Sequence, residues 1–148
     1  SVVYRLHSFE KQKCMTRGPV KVLRSSPATM GVISRAATDF PPVAHPLVFV
    51  QPETGRKVLN YSPFFAMYVE GMDPDESHKL LKQLSAHILD SPAYHHKWST
   101  DEMILWDNWR MLHSVTPVPL DEERVMQRTT IKGDYGVGRK LAFPEAAE

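Results

Sequence analysis

Proline placement constrains this chain more than any other feature. Twelve of its 148 residues are proline, and each removes a backbone donor and fixes φ, so the chain reads as many connections and edges rather than long uninterrupted helices. One stretch carries helix signals at both ends. Asp73 stands as an N-cap, Pro74 at the first helical position and Glu76 where a capping-box acid belongs. Leu80, Leu81, Leu84 and Ile88 then recur at helical spacing before Ser91-Pro92 ends the element. The charged residues between them belong to the solvated side.

Elsewhere the pattern is β. Val2 to Leu6 alternates weakly. Leu47-Val-Phe-Val50 is a short buried-strand run between Pro46 and Pro52, and Arg56 to Tyr61 returns after the turn Pro52-Glu-Thr-Gly55, making a hairpin. Tyr94–Trp98, Glu102–Trp106, Met111–Val115 and Arg124–Lys132 are short, rich in aromatic or β-branched residues, and read as strands. The fold class is therefore mainly β (α+β), a sandwich or jelly roll with one covering helix. The expected organisation is a single domain over 1–148, with an irregular lead-in over 1–44 in which Arg24–Gly31 and Thr38–Pro42 read as loop.

Composition narrows the function classes. Eighteen Lys+Arg against seventeen Asp+Glu give a net charge of +1, which argues against a nucleic-acid binder built on a basic surface. The apolar runs are too short to span a bilayer. The single cysteine, Cys14, excludes an intramolecular disulfide and a multi-cysteine zinc knuckle and fits a reducing, cytoplasmic setting. Seven histidines raise the question of a metal, but their spacings do not converge. His95 and His96 are adjacent on an expected strand and point to opposite faces. His78 and His87 are nine apart on the helix and out of phase. By spacing alone His113 is an ordinary histidine at a strand end, and Arg124 and Arg128 are surface charges within reach of Asp121, Glu122 and Glu123.

The segment Leu105-Trp-Asp-Asn-Trp-Arg-Met-Leu-His113, followed by Arg124-Val-Met-Gln-Arg128-Thr-Thr-Ile-Lys-Gly-Asp134, carries more than spacing. It resembles the C-terminal signature of the taurine/phenoxyacetate dioxygenase family of iron(II)- and 2-oxoglutarate-dependent oxygenases. His45-Pro-Leu-Val and Pro52-x-Thr-Gly-Arg56-Lys resemble that family's hairpin, and Glu76-Ser77, Leu80-Leu81 and His87 its helix. The similar region runs from about 45 to 135. The resemblance implies a double-stranded β-helix (jelly roll) of which this chain is the C-terminal part. It also implies His113 as a metal ligand seven residues after Trp106, and Arg124, eleven beyond His113, gripping the distal carboxylate of 2-oxoglutarate. Arg128 would then face the substrate pocket, and Trp106, Asp107 and Asn108 would support the ligand without touching the metal.

These roles suit the residue types. A neutral imidazole ligates iron(II), and a planar guanidinium meets a carboxylate bidentately while staying charged when desolvated. Arg124 and Arg128 are four apart, so a strand would project both to one face. The family's early His-x-Asp/Glu motif has no counterpart: none of the seven histidines has an acid two residues on. The expected function is thus that of a parent enzyme. It would be a dioxygenase using Fe(II), 2-oxoglutarate and O2 to hydroxylate a small acidic substrate, with release of succinate and CO2, and the missing N-terminal part would complete the site. The rival is a non-catalytic binding or interaction domain derived from the same fold. Half a jelly roll leaves open strand edges, so homo-oligomers or self-association are expected.

Overall fold

The computed structural model describes residues 1–5, 35, 39–116, 119, 121–133 and 136–142. Cys14, His7 and the loop read over 24–31 lie outside the described residues, as do Asp134 and Tyr135. Among the described residues six strands and one helix follow in the order β1 (Val2–Tyr4), β2 (Val43–His45), β3 (Val48–Val50), β4 (Lys57–Leu59), β5 (Ala66–Val69), α1 (Pro74–Asp90) and β6 (Arg139–Lys140).

The hydrophobic valines of β1 place it inside a four-stranded antiparallel sheet of order β5-β1-β2-β6. Val2 faces His45 on one side and Val69 on the other. The lead-in of residues 1–44 thus supplies β1 and two residues of β2. Strands β3 and β4 form a separate two-stranded hairpin with Val48 opposite Leu59, as the alternation around Pro52–Gly55 predicts. Its closing turn is set by Gln51, whose carbonyl accepts from Thr54 and Gly55. Gly55 supplies the positive φ that the turn needs.

Helix α1 begins as its sequence predicts. The Asp73 carboxylate accepts from the backbone N–H of Asp75 and Glu76, and Pro74 occupies the first turn. Its apolar stripe meets the sheet: Leu81 is buried with Val2, Tyr61 and Val69, and Leu80, Leu84 and Ile88 pack around them. Two polar ties sit inside this contact. The Tyr61 hydroxyl donates to the Leu81 carbonyl (3.1 Å) and lies 2.8 Å from Ser85 Oγ. Ser77 Oγ accepts the Val69 amide at 2.7 Å, so an edge-strand donor is satisfied by the helix. No helix among the described residues is long and apolar enough to cross a membrane.

Two expectations need correction. Val43–His45, Ala66–Val69 and Arg139–Lys140 are strands that the pattern did not announce, because strands of two to four residues carry too few side chains to alternate visibly. Conversely, the described residues of 92–133 contain no strand. The four segments read there are mostly exposed; Met103 is 90 %, Leu105 83 % and Ile131 82 % accessible. β-Propensity reflects fit to a pleated, half-buried surface, and here no sheet faces these residues. The described part is thus β-rich with one covering helix, in small antiparallel sheets.

Candidate functional site

The Trp106-Asp107-Asn108 tripeptide opens a tight turn over 107–110 that is built by its own polar side chains. Asp107 Oδ1 accepts the Trp109 amide at 2.9 Å, and the Asp107 carbonyl accepts those of Arg110 and Met111, each at 3.1 Å. Asp107 Oδ2 pairs with Arg110 Nε at 3.3 Å. Asn108 takes the indole N–H of Trp106 at 3.3 Å. Asp107 and Asn108 are thereby occupied as turn formers. His113 follows the turn, with its imidazole 5.3 Å from the Trp106 indole, centroid to centroid.

The turn is fastened to the β3–β4 hairpin. Phe49 and Trp109 stack at 4.7 Å with planes inclined 47°, and Arg110 Nη2 donates to Gln51 Oε1 at 3.1 Å. Neither Gln51 nor Arg110 is visible as a site residue in the sequence, since a glutamine beside a proline turn has no pattern of its own.

Arg124 and Arg128 are both exposed. Among the described residues neither forms an ion pair, so Asp121, Glu122 and Glu123 do not engage them. Trp106 and His113 are brought together; no contact joins either arginine to them among the described residues. A depression of about 360 Å³ on the four-stranded sheet, lined by Val3, Arg5, Tyr68, Glu70 and Leu141 among others, contains none of the site residues expected from the sequence.

Another histidine has the fuller hydrogen-bond environment. His96 is half-buried. Its Nε2 lies 3.1 Å from Glu102 Oε2 and its Nδ1 3.0 Å from the Tyr94 hydroxyl, with Trp98 edge-on at 4.5 Å. The Ser99 amide donates to the same Glu102 oxygen at 2.8 Å. That bond, with lesser help from the Ser99 side chain and His96, holds the Glu102 carboxyl below its ordinary value. Both imidazole nitrogens are engaged, which suits a loop-fixing role better than ligation.

An iron centre of the expected kind asks for three protein ligands on one face. Among the described residues no three His, Cys, Asp or Glu side chains are grouped closely enough to hold a metal ion. The described residues do not make up the set.

Comparison with known proteins bears on the whole of this region. The family model described as "Taurine catabolism dioxygenase TauD, TfdA family" matches residues 14–130. The chain is 40 % identical over 105 residues to an (S)-phenoxypropionate/alpha-ketoglutarate-dioxygenase of Sphingobium herbicidovorans, covering 70 % of this chain and 36 % of that protein. It is 33 % identical over 95 residues to an alpha-ketoglutarate-dependent 2,4-dichlorophenoxyacetate dioxygenase of Cupriavidus pinatubonensis, covering 64 % and 33 %. With pentalenolactone F synthase of Streptomyces arenae it shares 26 % identity over 130 residues, covering 84 % and 44 %. The chain thus spans less than half the length of these relatives. No solved structure matches it. Since the family match takes in the hairpin, the helix, the turn at 107–110, His113, Arg124 and Arg128, the chain belongs to the taurine catabolism dioxygenase TauD, TfdA family.

Proposed function

We propose that this chain is the C-terminal part of an iron(II)- and 2-oxoglutarate-dependent dioxygenase that hydroxylates a small organic acid and releases succinate and CO2. Its contribution is His113 as one metal ligand, Arg124 for the distal carboxylate of 2-oxoglutarate and Arg128 for the substrate pocket. Trp106, Asp107 and Asn108 hold the turn before the ligand. Residues 45–135 form the family-like part of a larger double-stranded β-helix. The observation that carries this reading is the family match over 14–130, within which the Trp106–His113 and His113–Arg124 spacings fall. Relatives named for phenoxypropionate and 2,4-dichlorophenoxyacetate support an acidic substrate. The protein works on small molecules and O2, in a reducing cytoplasm.

Bound iron(II) would supply the oxidising chemistry. The chain's own part is to present a neutral imidazole and two desolvation-tolerant cations. The deciding experiment is anaerobic iron(II) titration of the complete protein, followed by succinate release from 2-oxoglutarate with aryloxy and aliphatic carboxylates. One iron per chain and substrate-dependent succinate support the reading; their absence from the complete protein overturns it in favour of a binding domain.

A further inference from the structure

Gln51 is a buried polar residue, 8 % accessible, just past the end of strand β3. A buried amide must find partners, and this one spends its oxygen twice. Gln51 Oε1 accepts from Thr54 Oγ1 at 2.9 Å within its own hairpin, and from Arg110 Nη2 at 3.1 Å across fifty-nine positions of sequence. Phe49, two residues earlier and therefore on the same side of the strand, meets Trp109. Two neighbours on one strand thus hold two consecutive residues of the 107–110 turn, one by a charge-assisted hydrogen bond and one by ring contact. Arg110 is also tied to Asp107 within the turn, so its guanidinium bridges hairpin and turn. His113 lies three residues farther on, within one short span of this double attachment.

We propose that Gln51 is a positioning residue for His113. It acts through Arg110 to fix the turn that aims the imidazole, and the hairpin serves as the rigid base. The inference rests on the reading of His113 as a metal ligand. A ligand held by such an outer contact binds its metal with less reorganisation, and loss of contacts of this kind typically lowers metal affinity by about ten- to a hundredfold.

The test uses the complete protein with Gln51→Leu, Gln51→Glu and His113→Ala. In the metal-free state the His113 ring-proton resonances, shaped by the nearby Trp106 indole, should move in Gln51→Leu and return toward the native position in Gln51→Glu, whose carboxylate accepts the same guanidinium bond. Iron(II) affinity, measured by anaerobic calorimetry, should fall about ten- to a hundredfold in Gln51→Leu. It should recover in Gln51→Glu, while KM for 2-oxoglutarate at saturating iron stays unchanged. A lowered melting temperature in Gln51→Leu with native resonances and native iron affinity overturns the proposal and leaves Gln51 a hairpin residue only. Iron affinity lost in His113→Ala but kept in Gln51→Leu likewise overturns it, with the ligand assignment intact. Iron affinity kept in His113→Ala overturns the ligand assignment and this proposal together.

Discussion

The indole of Trp106 and the imidazole of His113 meet at 5.3 Å with their planes inclined by 52°, seven residues apart in sequence and on either side of a tight turn. The indole is itself tethered, through its N–H, to Asn108. A single histidine that would otherwise rotate freely on an exposed segment is thereby given an aromatic neighbour. The Trp-Asp-Asn tripeptide is a device for holding a ring as well as for turning the chain.

His113 carries little of the packing, so His113→Ala should leave the melting temperature of the complete protein nearly unchanged. Iron-dependent turnover should disappear. Circular dichroism and a succinate assay on the same preparation separate the two effects; full activity in the variant removes His113 from the metal site.

Arg124→Lys keeps the charge and loses the planar fork. The apparent affinity for 2-oxoglutarate should fall by at least about tenfold, roughly 1.4 kcal/mol. Cosubstrate titration of the complete protein checks this, and an unchanged KM refutes the assignment.

Gly138 has φ +102°, and a Cβ there would stand 2.5 Å from His45 Nδ1 and 2.7 Å from the Ala44 carbonyl oxygen. Gly138→Ala should therefore combine backbone strain with a clash against β2, at a cost of about 1–3 kcal/mol. A lower urea midpoint with an unchanged slope is the expected signature.

One buried and one half-buried phenol, Tyr61 and Tyr4, predict the alkaline limit. Burial pushes Tyr4 up to about 12 and raises Tyr61 as well, while their hydroxyls donate to the Asn60 and Leu81 carbonyls. The folded state holds these protons above the pH at which an unfolded tyrosine, with its ordinary value of 10.0, gives them up. Their stabilising contribution is complete below pH 10 and declines as pH rises above it, for Tyr4 until the folded value near 12 is passed. Urea midpoints taken from pH 9 upward should drop, and Tyr4→Phe should make that drop shallower.

Met103, Leu105, Val125 and Ile131 are large apolar side chains exposed to water. The chain over 1–148 should self-associate, and paired Leu105→Lys and Ile131→Lys replacements should move it toward monomer in light scattering. A monodisperse monomer with the native sequence would contradict this.

The helix and the hairpin were legible because each is specified locally: Asp73-Pro74 caps one, and Pro52–Gly55 turns the other. The central sheet was not, because β1 finds its neighbours at residues 43–45 and 66–69, pairings that no local pattern encodes. The segment 92–133 misled in the opposite direction. Its aromatic and branched residues are strand formers, but a strand exists only beside another. Of the site, the residue types and spacings around His113 and Arg124 were readable as a family pattern. Gln51, which reaches Arg110 from a distant hairpin, was not, since a hydrogen bond across fifty-nine positions leaves no mark on either neighbourhood.

The interior position of β1 has a kinetic consequence. Val2 and Val3 leave the ribosome well before either strand that flanks them, and the helix that seals Val2 comes later still. As the chain emerges, β1 has to wait for residues 43–45 for its first partner, and for residues 66–90 for its second partner and the helix that covers it. High sequence separation of this kind slows folding and lengthens the exposure of apolar surface. Nascent-chain yield should therefore respond to chaperone supply during synthesis more than to final stability.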